Sequence, residues 1–251
     1  MNVLLTLSYD GTNYCGWQRQ KNGISVQQRL EEALESVLGK PITVTGASRT
    51  DAGVHALGQH AVFSKEAMSI PLDKLPYALN SHLPPDISVI RAESVNDDFH
   101  PIYSAKRKTY EYSLYMSQFR NPLLERYCCH INHELNLDLM NEACKYFLGE
   151  HDFAAFRAIG SSVKTTVRTI YSLDIITEGN IIKIRICGNG FLYNMVRIIA
   201  GTLVYVGNGK IKAADIPCII LSKNRENAGK TMPPHGLTLV NIEYYNELTY
   251  K

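Results

Sequence analysis

Ser25-Val26-Gln27-Gln28-Arg29-Leu30-Glu31-Glu32-Ala33-Leu34-Glu35-Ser36-Val37-Leu38-Gly39-Lys40-Pro41 is the stretch from which the fold class follows. Ser25 and Gln28 have the spacing of a capping box, in which two side chains satisfy N–H groups that a helix start leaves unpaired. Val26, Leu30, Ala33, Leu34, Val37 and Leu38 recur with helical period and form one apolar stripe. Gly39 and Pro41 are stop signals, because glycine turns left-handed easily and proline lacks an N–H. A helix greasy on one side must bury that side against another layer, and its flanks supply one. Upstream, residues 2–9 read as a strand bounded by Asp10-Gly11; downstream, strands are predicted at 42–47 and 58–64. A second helix over 72–82 ends before Pro84-Pro85, and a strand at 87–95 completes a β-α-β-β-α-β order.

The rest of the chain repeats that order without repeating the sequence. Thr109–Met116 reads as a tyrosine-rich strand, and Leu137, Met140, Cys144, Phe147 and Leu148 mark a helix ending at Gly149. Val167–Ile176 and Ile181–Cys187 flank Glu178-Gly179-Asn180, a hairpin turn. Phe191–Val206 reads as a helix and 237–245 as a last strand. The expectation is an α+β protein of two ferredoxin-like βαββαβ halves with antiparallel sheets, residues 1–104 and 105–251.

Bulk properties narrow the class only slightly. The chain has 251 residues, is 45% hydrophobic and carries a net charge of +2, so any nucleic-acid partner must be argued from local clusters. The start, Met1-Asn2-Val3-Leu4-Leu5-Thr6-Leu7, lacks the basic flank of a secretory signal. The longest apolar stretch, 191–206, is broken by Asn194 and Arg197 and is too short and polar to span a bilayer. Six cysteines without a CxxC pair read as reduced thiols. These features point to a cytoplasmic protein.

Ala47-Ser48-Arg49-Thr50-Asp51-Ala52-Gly53-Val54-His55-Ala56 lies between two predicted strands, where chains place functional loops. Arg49 and Asp51 bracket Thr50, and a cation within a few ångströms lowers a carboxyl pKa by roughly 1–3 units, keeping it ionised. Such a carboxylate can act as a nucleophile; it can equally close a turn on its own backbone. Lys106-Arg107-Lys108 precedes Tyr110 and Tyr112, and residues 101–126 hold five basic and two acidic side chains. Basic groups grip phosphates and aromatic faces stack on unpaired bases, although lysines on a strand edge also simply discourage aggregation. Gly16-Trp17-Gln18-Arg19 contains the sole tryptophan, which either lines an RNA groove or anchors its loop. Arg168, among Val167, Ile170 and Tyr171, needs an anionic partner, for which Asp51 is a candidate.

Ser8-Tyr9-Asp10-Gly11-Thr12 with Gly16-Trp17-Gln18, the Arg49–Ala56 core, Lys108-Thr109-Tyr110-Glu111-Tyr112, Gly190-Phe191-Leu192 with Met195-Val196-Arg197, and Pro233-Pro234-His235-Gly236-Leu237 occur in the order found in one family. On these motifs, over nearly its whole length, the chain resembles the bacterial tRNA pseudouridine(38–40) synthases. It departs from many members in having Ser48 where they have glycine, a small change. The resemblance implies a pseudouridine synthase fold with a central basic cleft, acting on uridines 38, 39 and 40 of the tRNA anticodon stem-loop by base flipping. It implies Asp51 as the catalytic carboxylate, Tyr110 against the target base, Arg168 paired with Asp51, Arg49 beside it and Leu237 approaching the pocket. It also implies a homodimer using no metal and no cofactor. Trp17, Gln18, Arg19, Lys106, Arg107 and Lys108 are the expected RNA contacts.

Two other classes remain open on the residues themselves. A non-catalytic RNA-binding protein would use the basic and aromatic stretches but leave Arg49-Thr50-Asp51 without a purpose. A metal-dependent hydrolase would use Cys128-Cys129-His130 with His133, or His55 with His60, but these spacings fit no common zinc site.

Overall fold

The computed structural model describes residues 1–158, 160 and 163–244. In chain order the elements are β1 (Asn2–Tyr9), α1 (Val26–Leu38), β2 (Thr45–Gly46), β3 (His55–Ser64), α2 (Leu75–Asn80), β4 (Ile87–Val95), β5 (Ala105–Met116) and β6 (Cys129–Ile131). There follow α3 (Leu137–Lys145), β7 (Gly149–Asp152), β8 (Val167–Glu178), β9 (Ile181–Gly188), α4 (Met195–Gly207), α5 (Ile216–Ser222) and β10 (Leu237–Tyr244). The protein is mixed α+β with mostly antiparallel pairing. It divides into unit 1, residues 1–106 together with the segment from 238 onward, and unit 2, residues 107–237.

In unit 1 the helix α1 forms where its caps predict. The Ser25 hydroxyl accepts from the Gln28 N–H at 3.2 Å, and Gly39, at φ 73°, donates its N–H to the Glu35 carbonyl at 2.9 Å. Only half of the capping box closes, since the Gln28 amide turns instead to Glu32 at 2.8 Å. Val26, Leu30 and Leu34 are wholly buried, each contributing about 1.5–3 kcal/mol of hydrophobic stabilisation. β1 lies between β4 and β3, antiparallel to both. On its other side β3 carries β2, antiparallel (Gly46 opposite Ala61), and β10, parallel (Thr238 opposite His55). The sheet is covered on both faces: Val3, Leu5 and Leu7 are buried on one side, while Leu4 joins Val62, Val95, Phe99 and Tyr244 on the other.

The structure corrects several boundaries here. The strand expected at 42–47 shortens to two residues, the strand expected at 58–64 starts at His55, and the helix expected at 72–82 covers 75–80. The last strand, read from sequence as part of the second half, pairs with β3 and is grouped with unit 1. Tyr245 of that expected strand lies outside the described residues.

Unit 2 is built on successive antiparallel neighbours β5, β9, β8 and β7, with β6 running parallel to the end of β5. The β8–β9 hairpin closes on Gly179, at φ 59°, as its turn residues predict. α3 ends at Lys145, earlier than expected, and packs on α4. α4 starts at Met195 because Asn194 adopts φ 61°, a left-handed conformation that interrupts the helical run expected from Phe191. The elements β6, β7 and α5 are too short to show a period in sequence. Among the described residues no helix is long and apolar enough to cross a membrane.

Candidate active site

The loop from Ala47 to Val54 leaves β2 and returns into β3. Its start is tied down by Ala47, whose N–H donates to the His60 carbonyl at 2.8 Å. Next, the wholly buried Gln59 grips Ser48: its Nε2 donates to the Ser48 carbonyl at 2.6 Å, and its Oε1 accepts from the Ser48 N–H at 3.2 Å. Thr50 is held by its hydroxyl to that of Tyr9 at 2.7 Å, and its carbonyl accepts from the Trp17 N–H at 3.1 Å. Ser48 and Thr50 are buried, Arg49 is exposed and Asp51 is half-buried. That alternation puts the guanidinium and the carboxylate on one side of the segment, the side away from the core. Gly53, at φ 77°, then turns the chain so that the Val54 N–H reaches the Asp51 carbonyl at 3.1 Å.

Two motif glycines explain how this loop is buttressed. A Cβ on Gly11 would lie 2.0 Å from the Val54 carbonyl oxygen, and one on Gly16 would lie 2.5 Å from that of Thr50. Only main chain without side chain fits against the loop at these points. The Gly11 N–H also donates to His55 Nδ1 at 3.0 Å. A carboxylate presented on a backbone fixed in this way can serve as a nucleophile or base.

The segment 17–19 belongs to the scaffold more than to a binding face. Trp17 is 1% exposed and lies directly over Gly46, so it anchors the loop and has no free face for RNA; the groove-lining expectation is corrected on that ground. Gln18 donates to Gln27 at 2.7 Å. Arg19 is exposed, but its guanidinium already pairs with the buried Glu31 at 2.9 Å. Gln27 in turn donates to Glu31 and to the Val44 carbonyl, both at 3.0 Å, so this polar cluster knits α1 to the strand entering the loop.

Within unit 2 the other motifs meet around β5. Tyr110 is buried and meets the Phe191 ring edge-on, with centroids 5.2 Å apart. Lys108, two residues earlier on the same face of β5, stands opposite Gly188, and loss of hydration pushes its pKa down to about 8. On the opposite face the Arg107 guanidinium sits over the Tyr171 ring at 5.2 Å. Arg168 is half-buried and donates to the carbonyls of Thr165 and Val167 at 3.0 and 2.6 Å; desolvation lowers its pKa from the usual arginine value. Gly190 lies against its side chain.

The Pro233–Leu237 motif is fastened to β5 by Tyr112, whose hydroxyl donates to the Pro233 carbonyl at 2.8 Å and whose ring leaves no room for a Cβ on Gly236. Leu237 is buried at the end of this turn. Arg197 bridges Asn194 and the Met232 carbonyl, both at 2.7 Å. Lys106, exposed, is the last residue of unit 1 before β5 continues into unit 2.

Sequence reasoning missed Gln59, Tyr9 and Tyr112 as organisers of these loops. The available signal for Gln59 is the polar pair Gln59-His60 directly before the apolar run Ala61-Val62-Phe63. The candidate metal ligands fare differently: Cys128 and Cys129 are buried, with thiol pKa values raised by burial, and His60 stacks on Tyr244 with ring centroids 5.3 Å apart. Among the described residues no group of three or more His, Cys, Asp or Glu side chains is arranged to hold a metal ion.

A family model described as tRNA pseudouridine synthase matches residues 6–104 and 143–245. The chain is 53% identical over 243 residues to the "tRNA pseudouridine synthase A" of Thermoanaerobacter sp. (strain X514), covering 97% of this chain and 99% of that protein. It is 51% identical, with the same coverage, to the protein of that name from Acetivibrio thermocellus. It is 48% identical over 244 residues to the "tRNA pseudouridine synthase A 2" of Clostridium perfringens.

Proposed function

The chain belongs to the tRNA pseudouridine synthase family, and on that premise we propose that it isomerises uridine to pseudouridine at positions 38, 39 and 40 of the tRNA anticodon stem-loop, with Asp51 as the reacting carboxylate. The observation that carries the assignment is the alternation along 48–51. It buries two residues as anchors and leaves one carboxylate, flanked by one guanidinium, on the outward side.

The reaction breaks the bond between ribose and N1 of uracil, turns the base and joins ribose to C5. A stacked base cannot reach a carboxylate, so the nucleotide is flipped out at a cost of a few kcal/mol. Tyr110, backed by Phe191, is assigned to contact the flipped base. Addition to C6, attack at C1′ and removal of a ribose proton are three routes that all use the same negative charge at Asp51. Arg168 is assigned as its partner and Arg49 as the flanking cation, with Leu237 bordering the base. Lys106, Arg107, Lys108, Gln18 and Arg19 are assigned to the RNA backbone, where cations hold phosphates without reading sequence. The proposal includes two ferredoxin-like halves presenting a basic cleft, a homodimer and a cytoplasmic location. The β4-β1-β3-β2 antiparallel order of unit 1 supports its ferredoxin-like part.

Asp51→Asn tests the central assignment. The variant is expected to bind tRNA with near wild-type affinity while releasing no tritium from tRNA labelled at uracil C5. Release at the wild-type rate would remove Asp51 from the chemistry. Mapping pseudouridine in tRNA from cells lacking this gene, with and without complementation, tests the three positions.

A further inference from the structure

We infer that Gln59 is a positioning residue for the Asp51 carboxylate, setting the register of the loop through its two bonds to Ser48. The inference rests on the reading of Asp51 as the reacting group. Along β2 and β3 the pairing runs Thr45 with Val62, Gly46 with Ala61, then the Ala47 N–H to the His60 carbonyl. Ala47 and His60 are thus a hydrogen-bonded pair, and in a regular antiparallel ladder the following pair, Ser48 and Gln59, would exchange no main-chain bonds. The Gln59 side chain joins them: Nε2 donates to the Ser48 carbonyl at 2.6 Å and Oε1 accepts from the Ser48 N–H at 3.2 Å. Oε1 accepts a further bond from the His60 N–H at 3.1 Å, so the amide is itself locked in one orientation.

β2 is two residues long, and beyond Ala47 the Gln59 amide is what ties the departing chain to β3. The amide thereby defines which residues point inward. With Ser48 held, Thr50 is the next inward position and finds the Tyr9 hydroxyl at 2.7 Å, and Asp51 falls on the outward side. In an extended segment a slip of one residue would exchange the two sides and bury the carboxylate. Gln59 is wholly buried and touches no solvent, so it acts on the reaction through the main-chain groups it holds, those of Ser48 and His60.

The test uses the intact chain and single-turnover tritium release from C5-labelled tRNA, with tRNA affinity and binding stoichiometry measured alongside. Gln59→Met keeps the volume and removes both bonds; displacing a reacting group by about 1 Å costs on the order of 100-fold in rate. The expected result is a 10- to 100-fold fall in rate at unchanged stoichiometry, whereas a partly unfolded preparation would lose binding sites in the same proportion. Tyr9→Phe, which releases Thr50, is expected to slow turnover in the same way. Gln59→Glu supplies a pH readout. As a neutral acid it reproduces the donor and acceptor pattern of the amide, but as an anion it opposes the Ser48 carbonyl, and burial lifts its pKa above about 4.3. Its rate relative to wild type should therefore climb at least tenfold as the pH is lowered from 8 to 5.5.

A folded Gln59→Met protein with the wild-type rate overturns the inference. Should that variant not fold, a Gln59→Glu rate ratio that is flat with pH overturns it equally. Asp51→Asn is run in parallel. If it stays active, the reading of Asp51 has failed; if it is inactive while Gln59→Met is normal, only the positioning role has failed.

Discussion

Gly11→Ala places one methyl group where the structure has no room for it. The new Cβ would lie 2.0 Å from the Val54 carbonyl oxygen and 2.6 Å from its carbon, both main-chain atoms that cannot rotate aside. Restoring an ordinary contact of about 3.5 Å requires the two segments to part by roughly 1.5 Å. The Val54 N–H is bonded to the Asp51 carbonyl, so the movement is passed to the residue proposed to react. Overpacking of this kind costs about 1–3 kcal/mol of stability, or roughly 2–12 °C in Tm for a chain of this size. Displacement of the carboxylate adds a rate loss on the order of 100-fold. Tritium release under single-turnover conditions reads the rate, and a thermal melt reads the stability. Gly39→Ala is the control: Gly39 has φ 73° and no atom within 4 Å of its Cβ, so the cost is backbone strain of about 1–2 kcal/mol with no route to the loop. The reasoning fails if Gly11→Ala turns over like wild type, or if Gly39→Ala loses as much rate as Gly11→Ala.

Two further expectations concern pH. His60 is held neutral, its pKa pushed down to about 4 by burial, with Arg91 adding to the effect. Between that value and the unfolded value of about 6.5 the unfolded chain binds more protons, so stability is lost as pH falls through this window. His60→Gln should flatten the dependence of Tm on pH between 6.5 and 4, and an unchanged slope would contradict the assignment. Lys108, at about 8, makes the opposite end of the range informative. Below pH 8 the fold carries the full cost of a poorly hydrated ammonium, and stability rises as pH increases towards about 10.4, the unfolded value. Lys108→Met should raise Tm at pH 7, with the gain vanishing above pH 10, while weakening tRNA binding and reducing its salt dependence. A gain equal at both pH values would refute the cause.

The parts of this protein legible in its sequence are those with local causes. Ser25 and Gly39 mark α1 because caps act within a turn, and Gly179 marks the β8–β9 hairpin because its backbone angle is demanded locally. The proposal of Asp51 and Arg49 rests on the family resemblance, since on spacing alone the aspartate can simply close a turn. The partner of a strand is a different kind of information. Nothing in the alternation of 237–244 names β3 as its neighbour, and position along the chain alone places that strand with the second half. The hold of the Gln59 side chain on Ser48, eleven residues away, is equally invisible to local patterning. Hydropathy alone runs helix α4 from Phe191, because it cannot show that Asn194 turns left-handed. Trp17 left two readings open, and the absence of a Cβ on Gly46, a contact across many residues, decides between them.

The parallel pairing of β10 with β3 has a bearing on how the chain is made. Residues 238–244 leave the ribosome only after all of unit 2, whereas β3, which they complete, is synthesised early. At about 5–20 residues per second, the interval between Lys106 and Thr238 lasts on the order of 10 s. During that time the flank of β3 that receives Thr238 and Leu239 waits as an unfilled slot next to the Asp51 loop. Nascent chains halted within unit 2 would therefore hold Asp51, the residue proposed to react, in an unfinished sheet, and enzymatic competence would arrive with the last strand.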